Sequence, residues 1–254
     1  NSEVLGGDAP REHFGFRDGL SNPVFEGFPG ATERTRAGGE QPLPAGEVLL
    51  GHETLYGEPA AGPTVSPEQD PVGLLPRLAG GDGHDLGRNG SYLVFRQLSQ
   101  DVQGFWGFLE QSQRGRPDLP RGAEGRAWLA SKLMGRTTEG VPLARIPEQP
   151  VAVSDAAVSV DARADFDYSA ESRVGERCPL GAHVRRSNPR DTLLPNALQS
   201  TDGHDPTRTA AELRAERQDL ARRHRILRRG RPYGPPVDPS MDPEALRLGG
   251  DSSP

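Results

Sequence analysis

The sequence is poor in lysine, cysteine and aromatic residues. Lysine and arginine number 30 in 254 residues, yet Lys132 is the only lysine. The single cysteine, Cys178, excludes an internal disulfide and any zinc site that is built from several cysteines. Aromatic residues make up 6% and hydrophobic residues 33% of the chain, so we expect a small core.

Long apolar runs and an excess of positive charge are also missing. No stretch approaches the roughly 20 apolar residues of a membrane-spanning helix. The formal net charge is −6, which makes the chain a poor candidate for a general nucleic-acid binder. We therefore expect neither a membrane nor a nucleic acid as a partner.

The start of the chain gives no targeting signal, because no basic segment followed by apolar residues opens it. The first residue is Asn1 rather than methionine. We therefore expect that the natural N-terminus is missing, and the location stays open, with the cytoplasm favoured.

Glycine and proline are abundant, at 32 and 25 residues, which predicts a loop-rich globular protein. Apolar residues at helical spacing predict helices over 100–114 and 123–134, and a charged helix is expected over 205–223. β-Branched and aromatic residues predict strands over 90–98, which we expect to be buried, and over 223–236. Helices packed on an antiparallel sheet give an α+β fold, and no strand–helix repeat with a Gly-x-Gly-x-x-Gly turn indicates a dinucleotide-binding fold.

The segment CPLGAHVRRSNPR, residues 178–190, places one neutral nitrogen donor, His183, among arginines. Zinc needs three or four protein ligands, and the other five histidines lack the spacing to supply them. Haem brings four nitrogens of its own and needs one axial histidine, and guanidinium groups suit its two carboxylates. The plainer interpretation, a histidine that is hydrogen-bonded within a loop, stays open.

Two further segments carry residues that could act in chemistry. In GFRDG, residues 15–19, Asp18 either makes an Asp-Gly turn or is presented by a glycine-lined loop that approaches a flat ligand. In RILRRGRPYG, residues 225–234, Arg228 belongs to a solvated basic face, or strand alternation turns it inward toward an anionic partner. Five aromatic residues are either core or a path for electrons to the surface: Tyr92, Trp106, Trp128, Tyr168 and Tyr233.

Together, GFRDG, CPLGAHVRRSNPR and RILRRGRPYG resemble, in this order, the motifs of the dye-decolourising peroxidase family. A fourth segment, GRNGSYLVFRQLSQDVQGFWGFL at 87–109, is similar to the opening of the family's second domain. The resemblance covers residues 10–236. Four motifs in the right order are far more specific than any one of them.

The resemblance implies a fold and a domain organisation. The family has two ferredoxin-like α+β halves with haem in the C-terminal half, so we expect a ferredoxin-like antiparallel sheet with helices on one face, as in the C-terminal half of a dimeric α+β barrel-type fold. Residues 1–89 would form a loop-rich segment with the Gly-x-x-Asp-Gly motif, 90–236 the haem-binding domain and 237–254 a polar, disordered or truncated tail. Family members have more chain on both sides of these motifs, so we expect truncation at both ends.

The resemblance also implies roles for single residues. His183 would bind the iron of haem b, Asp18 would transfer protons on the opposite face, and Arg228 would stabilise the negative charge that develops on peroxide. Hydrogen peroxide and a small aromatic or dye reductant would be the substrates; a homo-oligomer, a haem-handling protein without turnover and an inactive fragment stay open. Six residues would line the haem: Gly19, Leu20, Ser21, Asn188, Pro189 and Arg190.

Overall fold

The computed structural model describes residues 11–17, 19–20, 22–28, 42–78, 80–146, 168, 175–190, 209–223, 226–228 and 230–249. These residues form five helices and one pair of short strands, listed in chain order: β1 (Thr64–Val65), β2 (His84–Asp85), α1 (Val102–Arg114), α2 (Ala123–Met134), α3 (His183–Ser187), α4 (Ala210–Arg223) and α5 (Pro243–Leu248). Three short 3-10 helices lie at Ala45–Glu47, Pro67–Gln69 and Leu143–Arg145.

The chain divides into two compact units. The larger unit comprises residues 1–22, 98–218 and 229–254, and the smaller unit comprises 23–97 and 219–228. The predicted domain boundaries at 89/90 and 236/237 stay a prediction. None of the described helices is long and apolar enough to cross a membrane.

Helix α1 begins two residues after its predicted start and ends at the predicted residue. The Asp101 carboxylate accepts a hydrogen bond from the Gly104 amide at 2.8 Å, which satisfies one of the free N–H groups of the first turn. Val102, Trp106 and Leu109 recur at helical spacing and are almost fully buried. They pack with Phe16, Ala130 and Leu246 into one core of the larger unit.

Helix α5 lies in the segment that the sequence predicts as a polar tail. The Asp242 carboxylate accepts from the amides of Glu244 and Ala245, and Pro243 occupies the first helical turn. Leu246 is fully buried against α1. The Asp242 cap and one buried leucine therefore support a helix within a polar stretch.

Helix α2 ends at Gly135, which has a left-handed backbone with φ of +85°. A side chain at this position would collide with Val184 and lie 3.1 Å from the sulfur of Cys178. Glycine thus permits both the helix end and the close approach of α3. The second core of the larger unit lies here and comprises Val141, Leu143, Ala144, Ile146, Tyr168, Cys178 and Ala182.

The smaller unit contains the antiparallel pair β1–β2, in which Thr64 faces Asp85 and Val65 faces His84. His84 Nδ1 and Asp70 Oδ2 are 2.6 Å apart, and both side chains are buried. A small antiparallel sheet together with helices agrees with an α+β class.

The two predicted strands are wrong. Residues 91–98 and the described residues of 226–236 form no strand. The apolar side chains of the first segment are 73–88% exposed: Tyr92, Leu93, Val94, Phe95 and Leu98. A buried strand needs neighbouring strands and a covering layer, and the described part of the chain provides neither for these residues.

Candidate functional site

His183 is the first residue of α3 and is exposed. Its neighbour Ala182 is 1% exposed and Cys178 is fully buried. The segment before it is tied down from two sides: Arg185 Nη1 donates to the Cys178 carbonyl at 2.7 Å, and Lys132 Nζ donates to the carbonyls of residues 176 and 177 at 2.8 and 2.6 Å. A fixed loop thus presents an exposed imidazole.

Three buried arginines surround the base of this helix: Arg136, Arg185 and Arg190. The Arg185 guanidinium lies 4.5 Å from the centre of the Tyr168 ring. Burial is the main cause that lowers the pKa of Arg136 to about 9, and the nearby Arg190 guanidinium is the second cause. Burial also raises the pKa of Tyr168. Guanidinium groups held this close favour an anionic neighbour.

Asn188 and Pro189 are half-buried and follow α3 directly. Arg190 is buried and has a positive φ of 49°, a conformation that costs roughly 1–2 kcal/mol for a residue with a side chain. Three of the predicted haem-lining residues therefore lie in one short stretch with His183.

Residues 135–143 form a turn, called the 135–143 turn below, in which the sequence predicts no site residue. Its ends are joined by the hydrogen bond from the Leu143 amide to the Gly135 carbonyl at 3.0 Å. At one end Gly135 lies against α3, and at the tip a side chain on Gly140 would collide with Leu20. The 135–143 turn therefore contacts both the segment of His183 and the segment of Gly19 and Leu20. Its sequence signal is the pair of glycines that follows a predicted helix.

The residues predicted for the opposite face of the site belong to two other segments of the chain. Gly19 is exposed with φ of +74°, and Leu20 is half-buried. Asp18 and Ser21 lie outside the described residues. Arg228 is exposed and belongs to the smaller unit. Because residues 226–228 form no strand, strand alternation does not place the Arg228 side chain.

Two further observations concern ligands. Among the described ranges, no three histidine, cysteine, aspartate or glutamate side chains come together to hold a bare metal ion. A cavity of about 510 Å³ lies in the smaller unit, and no predicted site residue lines it. Its lining comprises Glu26, Pro44, Ala45, His52, Glu53, Thr54, Leu55 and Gly57.

Comparison with known proteins identifies the family. No family model matches the chain. It is 31% identical over 241 residues to a dye-decolourising peroxidase of Mycena epipterygia, with 91% of this chain and 36% of that protein covered. It is 30% identical over 239 residues to a multifunctional dye peroxidase of an Amycolatopsis strain, with 93% and 40% covered.

A solved structure agrees with these relatives. A variant of the dye-decolourising peroxidase from Pleurotus ostreatus matches with a TM-score of 0.56 and 26% identity, over 94% of this chain and 40% of that chain. The chain spans between 36% and 40% of the length of the two curated relatives. By sequence and by structure, the chain belongs to the family of the dye-decolourising peroxidases.

Proposed function

We propose that this chain is the haem-binding part of a peroxidase that uses hydrogen peroxide to oxidise dyes, phenols or similar small reductants. The observation that carries the proposal is the exposed His183 on α3 beside three buried arginines, in a chain whose curated relatives are dye-decolourising peroxidases. We also propose the ferredoxin-like sheet that the resemblance implies for the haem-binding half.

The residues around α3 suit haem b. A bare metal ion would need several protein ligands, whereas a porphyrin-held iron needs one axial imidazole, which His183 would provide. The buried guanidinium of Arg190 would face a propionate, because bidentate pairing with carboxylates is its strongest interaction. Gly19, Leu20, Ser21, Asn188 and Pro189 would lie along the macrocycle.

Haem, when bound, would supply the redox centre that accepts electrons from the reductant. The Asp18 carboxylate would take a proton from one peroxide oxygen and return it to the other, which leaves as water. The Arg228 guanidinium would stabilise the negative charge that develops as the O–O bond breaks. An aspartate has an ordinary pKa of about 3.9, and a nearby arginine lowers it further. The base thus stays ionised in mild acid, which favours an acidic pH optimum.

Absorbance spectroscopy tests the haem ligand. Haem added to the protein is expected to give a Soret band, and His183→Ala is expected to abolish or shift it. His52→Ala serves as the control, because His52 has no role in the proposed site and its ring nitrogen is hydrogen-bonded to Asn89. An unchanged Soret band in His183→Ala would remove His183 as the ligand.

Turnover is tested separately, with a pH–rate profile on a reporter dye. Asp18→Asn is expected to lower the rate with peroxide by a factor on the order of 100 or more, the usual contribution of a positioned general base. A rate that peaks above neutral pH and is unchanged in Asp18→Asn would contradict the proposed role. Haem binding without dye oxidation would instead indicate a haem-handling protein.

A further inference from the structure

The residues just before Asp18 form a closed loop. The Glu12 carboxylate accepts hydrogen bonds from the amides of Phe14 and Phe16, both at 3.0 Å. The Glu12 amide donates to the Phe16 carbonyl at 2.9 Å. Arg11 and Arg17 therefore stand side by side as the two ends of this loop, paired as an isolated antiparallel bridge.

Both arginines are held by one carboxylate on the 135–143 turn. Glu139 Oε2 accepts from Arg17 Nε at 2.9 Å, and Glu139 Oε1 makes a close ion pair with Arg11. The Thr138 carbonyl also accepts from the Arg17 amide at 3.0 Å and from Arg11 Nη1 at 3.1 Å. Arg17 is thus tied to the turn at its backbone and at its side chain.

Arg17 is bonded directly to Asp18 in the chain, so the residue that Glu139 holds is the point to which Asp18 is attached. We infer that Glu139 is a positioning residue for the Asp18 carboxylate, an inference that rests on the proposed function. Its charge also keeps the Arg17 guanidinium engaged on the turn.

The larger unit contains a matched control for this arrangement. Glu110 also accepts from two arginines, Arg114 at 3.3 Å and Arg247 at 3.0 Å. Its side chain is 29% exposed and that of Glu139 is 30% exposed. Salt bridges at such exposure add little to overall stability, so Glu139→Gln and Glu110→Gln are expected to leave the fold equally intact.

The experiment compares Glu139→Gln and Glu110→Gln in the haem-loaded protein, with and without Asp18→Asn. Glu139→Gln is expected to lower the rate constant with peroxide by about tenfold to a hundredfold, because small misplacements of a reacting group cost this much. Glu110→Gln is expected to change this rate constant by less than about twofold, because Glu110 shares no partner with Glu139. In the Asp18→Asn background, Glu139→Gln is expected to have no further effect. The Soret band is expected to be unchanged throughout.

Hydrogen exchange supplies a readout that does not depend on turnover. The Arg17 amide is expected to exchange faster in Glu139→Gln than in Glu110→Gln, with haem and without it, because its bond to Thr138 loosens. If Glu139→Gln fails to fold, Glu139→Asp keeps the charge on a shorter arm and is expected to show a smaller loss of the same kind.

The outcomes separate the inference from the proposed function. If Asp18→Asn leaves the peroxide rate unchanged, the role proposed for Asp18 is wrong, and the inference falls with it. If Asp18→Asn abolishes the rate but Glu139→Gln behaves like Glu110→Gln, or loses as much again in the Asp18→Asn background, the inference alone is wrong.

Discussion

Replacing the only lysine is expected to loosen the segment that presents His183. The Lys132 ammonium donates to two backbone carbonyls, of Glu176 at 2.8 Å and Arg177 at 2.6 Å, and lies 4.7 Å from the centre of the Trp128 ring. Lys132→Met keeps the aliphatic length and removes all three interactions.

The size of the effect follows from these contacts. A hydrogen bond from a charged group contributes about 1.5–3 kcal/mol when buried, and a cation–π contact at an exposed site about 0.5–1 kcal/mol. Lys132 is only partly buried, and ordering its long side chain costs up to about 2 kcal/mol. We expect a net loss of about 2 kcal/mol, which corresponds to about thirtyfold in an equilibrium constant.

Two assays measure this loss in Lys132→Met. Urea unfolding of the haem-free protein gives the free energy of unfolding, and a Soret titration gives the affinity for haem. Leu133→Met is the matched control, because Leu133 is the next residue of α2 and is 46% exposed. If both quantities in Lys132→Met stay within about 0.5 kcal/mol of the unchanged protein, as for an ordinary surface substitution, the two carbonyl bonds do not hold the loop.

Four other substitutions test the fold, each by urea unfolding. Leu246→Ala is expected to cost about 2–5 kcal/mol, because it empties a fully buried position. Gly27 has φ of +77° and open space around it, so Gly27→Ala is expected to lower the free energy of unfolding by about 1–2 kcal/mol. Gly15→Ala is expected to lower it by more, because the new methyl group would lie 2.8 Å from a backbone carbonyl oxygen. The hydrogen bond from the Leu75 amide is the main cause that lowers the pKa of Asp70 below its ordinary 3.8. The ionised carboxylate therefore stabilises the fold above pH 3.8, and this stabilisation is lost as the pH falls through the lowered pKa. Asp70→Asn is expected to flatten the fall in the free energy of unfolding at acidic pH, and an unchanged slope would contradict this role of Asp70.

Helices α1 and α2 follow from local sequence patterns, whereas the two predicted strands do not form in the described residues. Apolar spacing predicts α1 within two residues of its observed start, and α2 is confirmed over the whole of its range. The segment YLVF at 92–95 has strand-forming residues, but whether it pairs depends on distant parts of a chain. Its exposure was therefore not predictable from its own residues.

The candidate site also combines residues that a local motif predicts with contacts between distant parts of the chain. His183 and Arg190 are predicted as site residues because both belong to one short cationic motif. The contacts of Arg136 and Glu139 were missed because they join residues more than 40 positions apart, to Arg190 and to Arg11. The glycines of the 135–143 turn indicate a turn, but nothing local indicates what packs against it.

The exposed segment 91–98 affects how a solution of these 254 residues behaves. Tyr92, Leu93, Val94 and Phe95 are consecutive and 77–88% exposed, so they present one continuous apolar stretch to solvent. Exposed apolar stretches of this kind promote association between copies of a chain. Concentrated samples are expected to turn cloudy, sooner in sulfate-rich buffers, which strengthen apolar contacts. A lysine in place of Val94 is expected to delay the clouding.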